Sequence, residues 1–169
     1  MTRATGIDLY DRDFYAWTAD QAERLQRLGG DNRFDVAHVA EEIADLGKAE
    51  KRQLESHLRR ILEHLLLLAA ETAEEPARHW THEVYNHAAE IRYVLRNSPS
   101  LAGKVDIARI WDDALADANR KLRAHDEPPL PMELTCPFHL DDLHPDRLDV
   151  GAAVDAVRAA IAGDGAADR

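Results

Sequence analysis

Ten positions between residues 36 and 68 fall on one helical stripe. At 3.6 residues per turn, Val36, Ala40, Ile43, Gly47, Glu50, Leu54, Leu58, Ile61, Leu65 and Leu68 share a side, and nearly all are apolar or small. A turn at Gly47 would break that register. The phase therefore predicts one long helix over about 35–73, opened by Asp35 as N-cap. Gly47 is then either a kink or, on the buried face, a place where a neighbouring helix comes close. Such a helix cannot bury its stripe alone, so the rest of the chain must supply partner helices.

It does. Phe14, Trp17, Gln21, Leu25 and Leu28 recur at helical spacing ahead of Gly29-Gly30, which predicts a helix from about Asp11 to Leu28. Pro76 suits a first helical turn, followed by a stripe of Trp80, Val84, Ile91, Val94 and Leu95. Ser98-Pro99 reads as a cap and first position for a fourth helix carrying Leu101, Val105, Ala108, Trp111, Leu115, Ala118 and Leu122, with Gly103 splitting off its first turn. Residues 126–137 hold four prolines and read as an extended segment over the bundle. One short turn follows at 139–143. Asp149 caps a short final helix with Val150, Val154, Val157 and Ile161, and 163–169 read as a frayed tail. No alternating β-branched run appears. The fold class expected is all-α: an antiparallel helical bundle of about four main helices, with a Pro-rich segment and a short C-terminal helix. Residues 1–145 would form a single domain and 146–169 an acidic extension.

Charge then restricts partners. The 169-residue chain carries 32 acidic and 21 basic side chains, a net charge of −11. Ten acidic and three basic residues lie in 126–169, so that segment holds −7 of the total. The bundle is only mildly acidic, yet no continuous basic face emerges, which argues against general nucleic-acid binding. The acidic end reads as a solubilising segment, or as an arm for a basic partner. One cysteine excludes an internal disulfide. No signal peptide is visible, and no apolar run is long enough for a membrane helix, so a soluble cytoplasmic protein without membrane association is expected.

Walker, GxGxxG, GxSxG, HExxH and CxxC motifs are absent, and no glutamate has a histidine three residues later, as di-iron bundles require. One polar pattern stands out among nine histidines. Glu50, His57 and His64 are spaced by seven along the edge of the long apolar stripe. On the next helix His87 lies between Val84 and Ile91, with Glu83 and Glu90 beside it. Antiparallel packing would bring the two polar edges together. Three readings stand open: a divalent-metal site, a buried network using Arg52, Arg60 and Arg92, or a solvent-wetted rim. His38, Glu42, His79 and His82 fall off the apolar stripes and read as solvated. Lys48, Lys51, Arg52, Arg59 and Arg60 interleave with Glu50, Glu55 and Glu63 and read as ion pairs along the helix. Tyr10, Phe14, Tyr15 and Trp17 form an aromatic cluster suited to core packing or, as the alternative, to a partner-binding patch. Cys136, before Pro137, has no activating histidine in the sequence pattern and reads as a packing residue.

Several stretches match a known pattern: LYDRDFYAWTADQAERL over 9–25, VAEEIADLGKAEKRQLESHL over 39–58, LEHLL over 62–66, NSPSL over 97–101 and TCPF over 135–138. As a set they resemble the bacterial family catalogued as domain of unknown function 29, across about residues 8–145. The resemblance implies a small all-helical protein and carries no assigned activity, cofactor or catalytic residue. Two departures are local. Leu67-Leu68-Ala69-Ala70 replaces a Lys-Trp pair after the HLL motif, and His57 stands where the pattern has arginine; His64 matches it.

With no catalytic motif, the leading expectation is a non-enzymatic interaction or regulatory module that takes a protein partner or a second copy of itself and needs no cofactor. The alternative is a metal-binding or acid–base enzyme built on the Glu/His stripe. What separates them is whether Glu50, His64, Glu83 and His87 converge.

Overall fold

The computed structural model describes residues 6–28, 34–70 and 74–167. These form six α-helices and two 3-10 turns, with no strand among the described residues. The helices are α1 (Gly6–Arg12), α2 (Phe14–Leu28), α3 (Val36–Ala70), α4 (Glu74–Asn97), α5 (Ile107–Ala124) and α6 (Val150–Ala167). The 3-10 turns are Pro99–Gly103 and Leu140–Leu143. Among the described residues no helix is long and apolar enough to cross a membrane. The chain packs as two compact units, Met1–Leu54 with Tyr93–Val105, and Glu55–Arg92 with Asp106–Arg169.

In the first unit the expected helix over 11–28 is divided at Asp13. Its carboxylate accepts the Ala16 N–H at 2.9 Å, capping α2, and also accepts the Ser100 N–H and hydroxyl at 2.9 and 3.0 Å. Ser98, expected to cap the helix after it, makes no such bond there. Its Oγ instead accepts the Tyr15 N–H at 3.2 Å. Two free N–H groups at the start of α2 are thus satisfied, one by its own preceding residue and one by Ser98. The Gly29-Gly30 stop lies outside the described residues. Tyr10, Phe14 and Trp17 do cluster, with ring centroids 4.8–5.8 Å apart, but not in the core as expected: Tyr10 is exposed, and Phe14, Tyr15 and Trp17 are only half-buried.

Helix α3 is uninterrupted through Gly47, as the stripe predicts, although residues 71–73 of its expected end lie outside the described residues. Asp35 caps it through the His38 N–H at 3.2 Å. Gly47 is buried, and a Cβ there would overlap the Thr18 hydroxyl, itself bonded to the Tyr15 carbonyl at 2.8 Å. Gly47 therefore serves close helix approach within this unit.

In the second unit, residues 61–68 of α3 are all buried. Ion pairs step along α3 and α5 in the same direction: Glu55–Arg109 at 2.8 Å, Asp117–Arg59 at 3.6 Å and Glu63–Lys121 at 2.9 Å. Helix α4 opposes them with Val84, Ala88 and Ile91 inward. Helix α5 buries Trp111, Leu115, Ala118 and Leu122 of the expected stripe, and the turn before it is split off at Gly103 as expected. The helix restarts at an Asp106 cap, so Ile110 is buried and Ala108 is exposed, while Leu101 belongs to the preceding turn. Helix α6 is longer than expected. It runs to Ala167, so most of the expected frayed tail is helical, consistent with the high helix propensity of its alanines. Arg158 on α6 donates to the free Leu68 and Ala69 carbonyls at the end of α3, at 3.3 and 3.4 Å.

The Pro-rich segment is helix-free, as expected. Asp126 adopts φ 58°, a left-handed turn that ends α5 and sends the chain back along it. Asn119 then holds Leu130 at both ends, accepting its N–H at 2.6 Å and donating to its carbonyl at 3.0 Å. The Trp111 indole donates to the Leu134 carbonyl at 2.6 Å. Leu130, Leu134 and Phe138 are buried as a result.

Asn119→Ala leaves both Leu130 backbone groups buried and unpaired. Each orphan costs about 1–3 kcal/mol, so urea denaturation of this variant should show a loss of about 2–6 kcal/mol. A loss below about 0.5 kcal/mol would mean the segment is not held by this residue.

Candidate metal centre

Two helices of the second unit build this site. His57 and His64 are seven residues apart on α3 and so share a face two turns apart. Glu83 and His87 are four apart on α4 and also share a face. The apolar residues between them, Ile61, Leu65, Val84, Ala88 and Ile91, are buried and bring the two helices together.

The four side chains meet. His57 Nδ1 and His87 Nδ1 are 3.0 Å apart. The His64 and His87 rings stack with centroids 6.3 Å apart and planes within 12°. His87 Nε2 lies 3.9 Å from Glu83 Oε2. His64, Glu83 and His87 each bring one ligand-capable atom to within 4.8 Å of the others. His64 is buried, and its Nδ1 has no hydrogen-bond partner. Glu83 and His87 are half-buried.

The 3.0 Å contact between two Nδ1 atoms requires one N–H and one lone pair, which leaves two tautomeric arrangements. If His57 donates, His87 carries its proton on Nε2, facing Glu83. If His87 donates, its Nε2 lone pair faces the Glu83 carboxylate, and two acceptors confront each other. The second arrangement is completed by a cation.

Burial keeps these imidazoles neutral. It pushes the His64 pKa down to about 4, against a smaller opposing pull from Glu63. His57 is lowered by burial, partly offset by the charge of Glu90. His87 is lowered by burial and then by the charge of His57. A metal ligand must be the neutral form, so all three are ready to coordinate at neutral pH.

The other two candidates of the sequence pattern are not among the converging ligands. Glu50 belongs to the first unit, where it lines a cleft of about 270 Å³ with Tyr10, Asp11, Phe14 and Asn97. Glu90 is exposed and reaches the site through its charge on His57 and His87. The pattern also passed over a residue. Glu63, read from the sequence as one of the ion pairs along the helix, does pair there, but it is 1% exposed. Its Oε2 accepts from Arg60 at 2.9 Å and its Oε1 from Lys121 at 2.9 Å. The signal was present: Glu63 sits inside a run that is otherwise leucine, isoleucine and His64. Arg60, expected in a buried network, is half-exposed at this pair, and Arg92 instead pairs with the exposed Asp146 at 2.6 Å.

Elsewhere the bland expectations match the surface. His38 is exposed and bonded to Asp35 at 2.6 Å, and Glu42, His79 and His82 are exposed. Cys136 is half-buried, its thiol donating to the Phe138 carbonyl at 3.7 Å, and burial pushes its pKa up.

A family model described as "Domain of unknown function DUF29" matches residues 9–147. The crystal structure of an alpha-helical protein of unknown function from Rhodospirillum rubrum, at 1.45 Å resolution, superposes with a TM-score of 0.78. It is 24% identical in sequence, and the match covers 91% of this chain and 98% of that one. At that identity the likeness concerns the fold. Comparison with curated proteins finds no match.

The buried neutral His64 makes stability depend on pH. Its folded pKa, about 4, lies below the ordinary 6.5, so between these values the unfolded chain binds a proton that the native protein does not. Its contribution is complete above pH 6.5 and is lost as pH falls toward 4, by up to about 1.4 kcal/mol per pH unit. Urea unfolding from pH 7 to 4.5 should show this slope, and His64→Gln should flatten it. Parallel profiles for the two proteins would place the titration elsewhere.

Proposed function

The chain belongs to the DUF29 family, and within that family, to which no activity is attached, we propose that it is a helical metal-binding module that holds a divalent transition ion on His64, Glu83 and His87. The observation that carries this reading is the convergence of the three ligand atoms within 4.8 Å, with the buried His64 Nδ1 left without a partner. A buried nitrogen without a partner is costly unless something else occupies its lone pair. Two imidazoles and a carboxylate form a borderline-soft set suited to zinc, cobalt, nickel or iron, and poorly suited to magnesium or calcium.

His57 supports the set without belonging to it. Accepting the Nδ1–H of His87 fixes the tautomer that turns the His87 Nε2 lone pair toward Glu83 and the metal. Three protein ligands leave one tetrahedral position for an exogenous group, the arrangement of catalytic rather than closed structural zinc sites. The metal-binding alternative thus gains over the interaction-module expectation. Its proposed set is His64, Glu83 and His87 with His57 behind, and Glu50 has no part in it.

Titration calorimetry of metal-free protein with Zn²⁺, repeated with Co²⁺, should give about one ion per chain. His64→Gln and His87→Gln should abolish measurable binding. His57→Gln should weaken it roughly 10–100-fold, the usual cost of losing a supporting hydrogen bond. Binding below about 0.1 ion per chain with both metals, or unchanged binding in the His64 and His87 variants, would overturn the assignment.

A further inference from the structure

Two cations flank the ligand cluster and are not consumed by it. Arg60 lies three residues after His57 and four before His64, on the same face of α3. It bonds Glu63 through Nη1, and its charge is felt directly at His87. Lys121, on α5, bonds the other oxygen of Glu63, and its charge is felt at His64. Glu63 itself is buried, yet both cationic side chains are 44% exposed. Each therefore has donors free to face solvent or a ligand: Arg60 uses one of its five N–H groups on Glu63, and Lys121 one of three.

The charges around the centre reverse sign with the metal. Without an ion, Arg60 and Lys121 stand against Glu63, Glu83 and Glu90, leaving one negative charge in surplus while the histidines are neutral. A divalent cation turns this into one positive charge in surplus. The cluster therefore first attracts a metal and then an anion, in a protein whose overall charge of −11 would otherwise repel one. A guanidinium and a metal are the two kinds of partner an oxyanion takes, since it accepts from an arginine fork and offers another oxygen to the metal.

We propose, resting on the metal-binding reading above, that the open position of the centre is an oxyanion subsite, in which a phosphate group coordinates the metal held by His64, Glu83 and His87 while Arg60 and Lys121 neutralise it. The order is obligatory: metal, then anion. The ligand class is a small phosphate-bearing molecule, and the acidic surroundings disfavour a polyanion such as nucleic acid.

Co²⁺ serves as a visible probe, because its absorption bands report changes in coordination. Metal-loaded protein titrated with inorganic phosphate should show a saturable band shift, and metal-free protein should bind no phosphate by calorimetry. Arg60→Gln should weaken phosphate binding at least tenfold, and Lys121→Gln severalfold, each variant showing a Co²⁺ spectrum before phosphate is added. A Co²⁺ spectrum that phosphate does not move, or phosphate affinity unchanged in both variants, would overturn the oxyanion subsite and leave the metal centre standing. Failure of Co²⁺ to bind the unmodified protein would overturn both.

Discussion

Eight consecutive residues of α3, 61–68, are buried, and two of them, Glu63 and His64, are ionisable. A helix wholly surrounded by other elements cannot turn a polar side chain back to water, so each must be satisfied where it lies. Glu63 is satisfied by recruiting Arg60 from its own helix and Lys121 from α5. His64 is not satisfied by the protein alone. Burial keeps it neutral and aligns it with His87, while one ring nitrogen remains without a partner. The second unit is organised around these two residues. Around Glu63, ion pairs step along α3 and α5, and around His64 an imidazole stack links α3 and α4.

The site that results joins a rigid half to a titratable half. The rigid half is hydrophobic: Ile61, Leu65, Val84, Ala88 and Ile91 fix the separation of the helices that carry the ligands. The titratable half is the histidine trio, all shifted toward the neutral form by the same burial. Packing and protonation are thus one design, since any change that lets water into the core also returns the imidazoles toward their ordinary pKa. The same logic accounts for the cations. Buried Glu63 needs positive partners, and those partners hold their charge beside the imidazoles.

Much of the architecture is legible in the chain because periodicity reports burial directly. The unbroken phase from Val36 to Leu68 gives α3 without reference to its neighbours, and the buried Gly47 follows from its place on that stripe. Tertiary capping is not legible in this way. Asp13 and Ser98 exchange roles as caps because residues about 85 positions apart meet, and no local rule sees that. The fresh start of α5 at Asp106, which buries Ile110 and exposes Ala108, is likewise invisible to a stripe read from Leu101 to Leu122. At the site, the spacing of His57, His64, Glu83 and His87 was visible, because all four lie beside apolar positions. Spacing alone could not separate Glu50 from them, since seven-residue intervals continue along the helix from one packing environment into another. Glu63 reads from the sequence as a partner for Arg60, which it is, but the basic residues before it mask the burial that the leucines around it signal.

The central claim is a coordination sphere, and X-ray absorption at the zinc edge of the metal-loaded protein observes it directly. The account predicts a four-coordinate ion with two imidazole nitrogens at about 2.0–2.1 Å and carboxylate oxygen at about 2.0–2.2 Å, and with no sulfur. An all-oxygen shell lacking the multiple scattering of imidazole rings, or a sulfur ligand from Cys136, would contradict it.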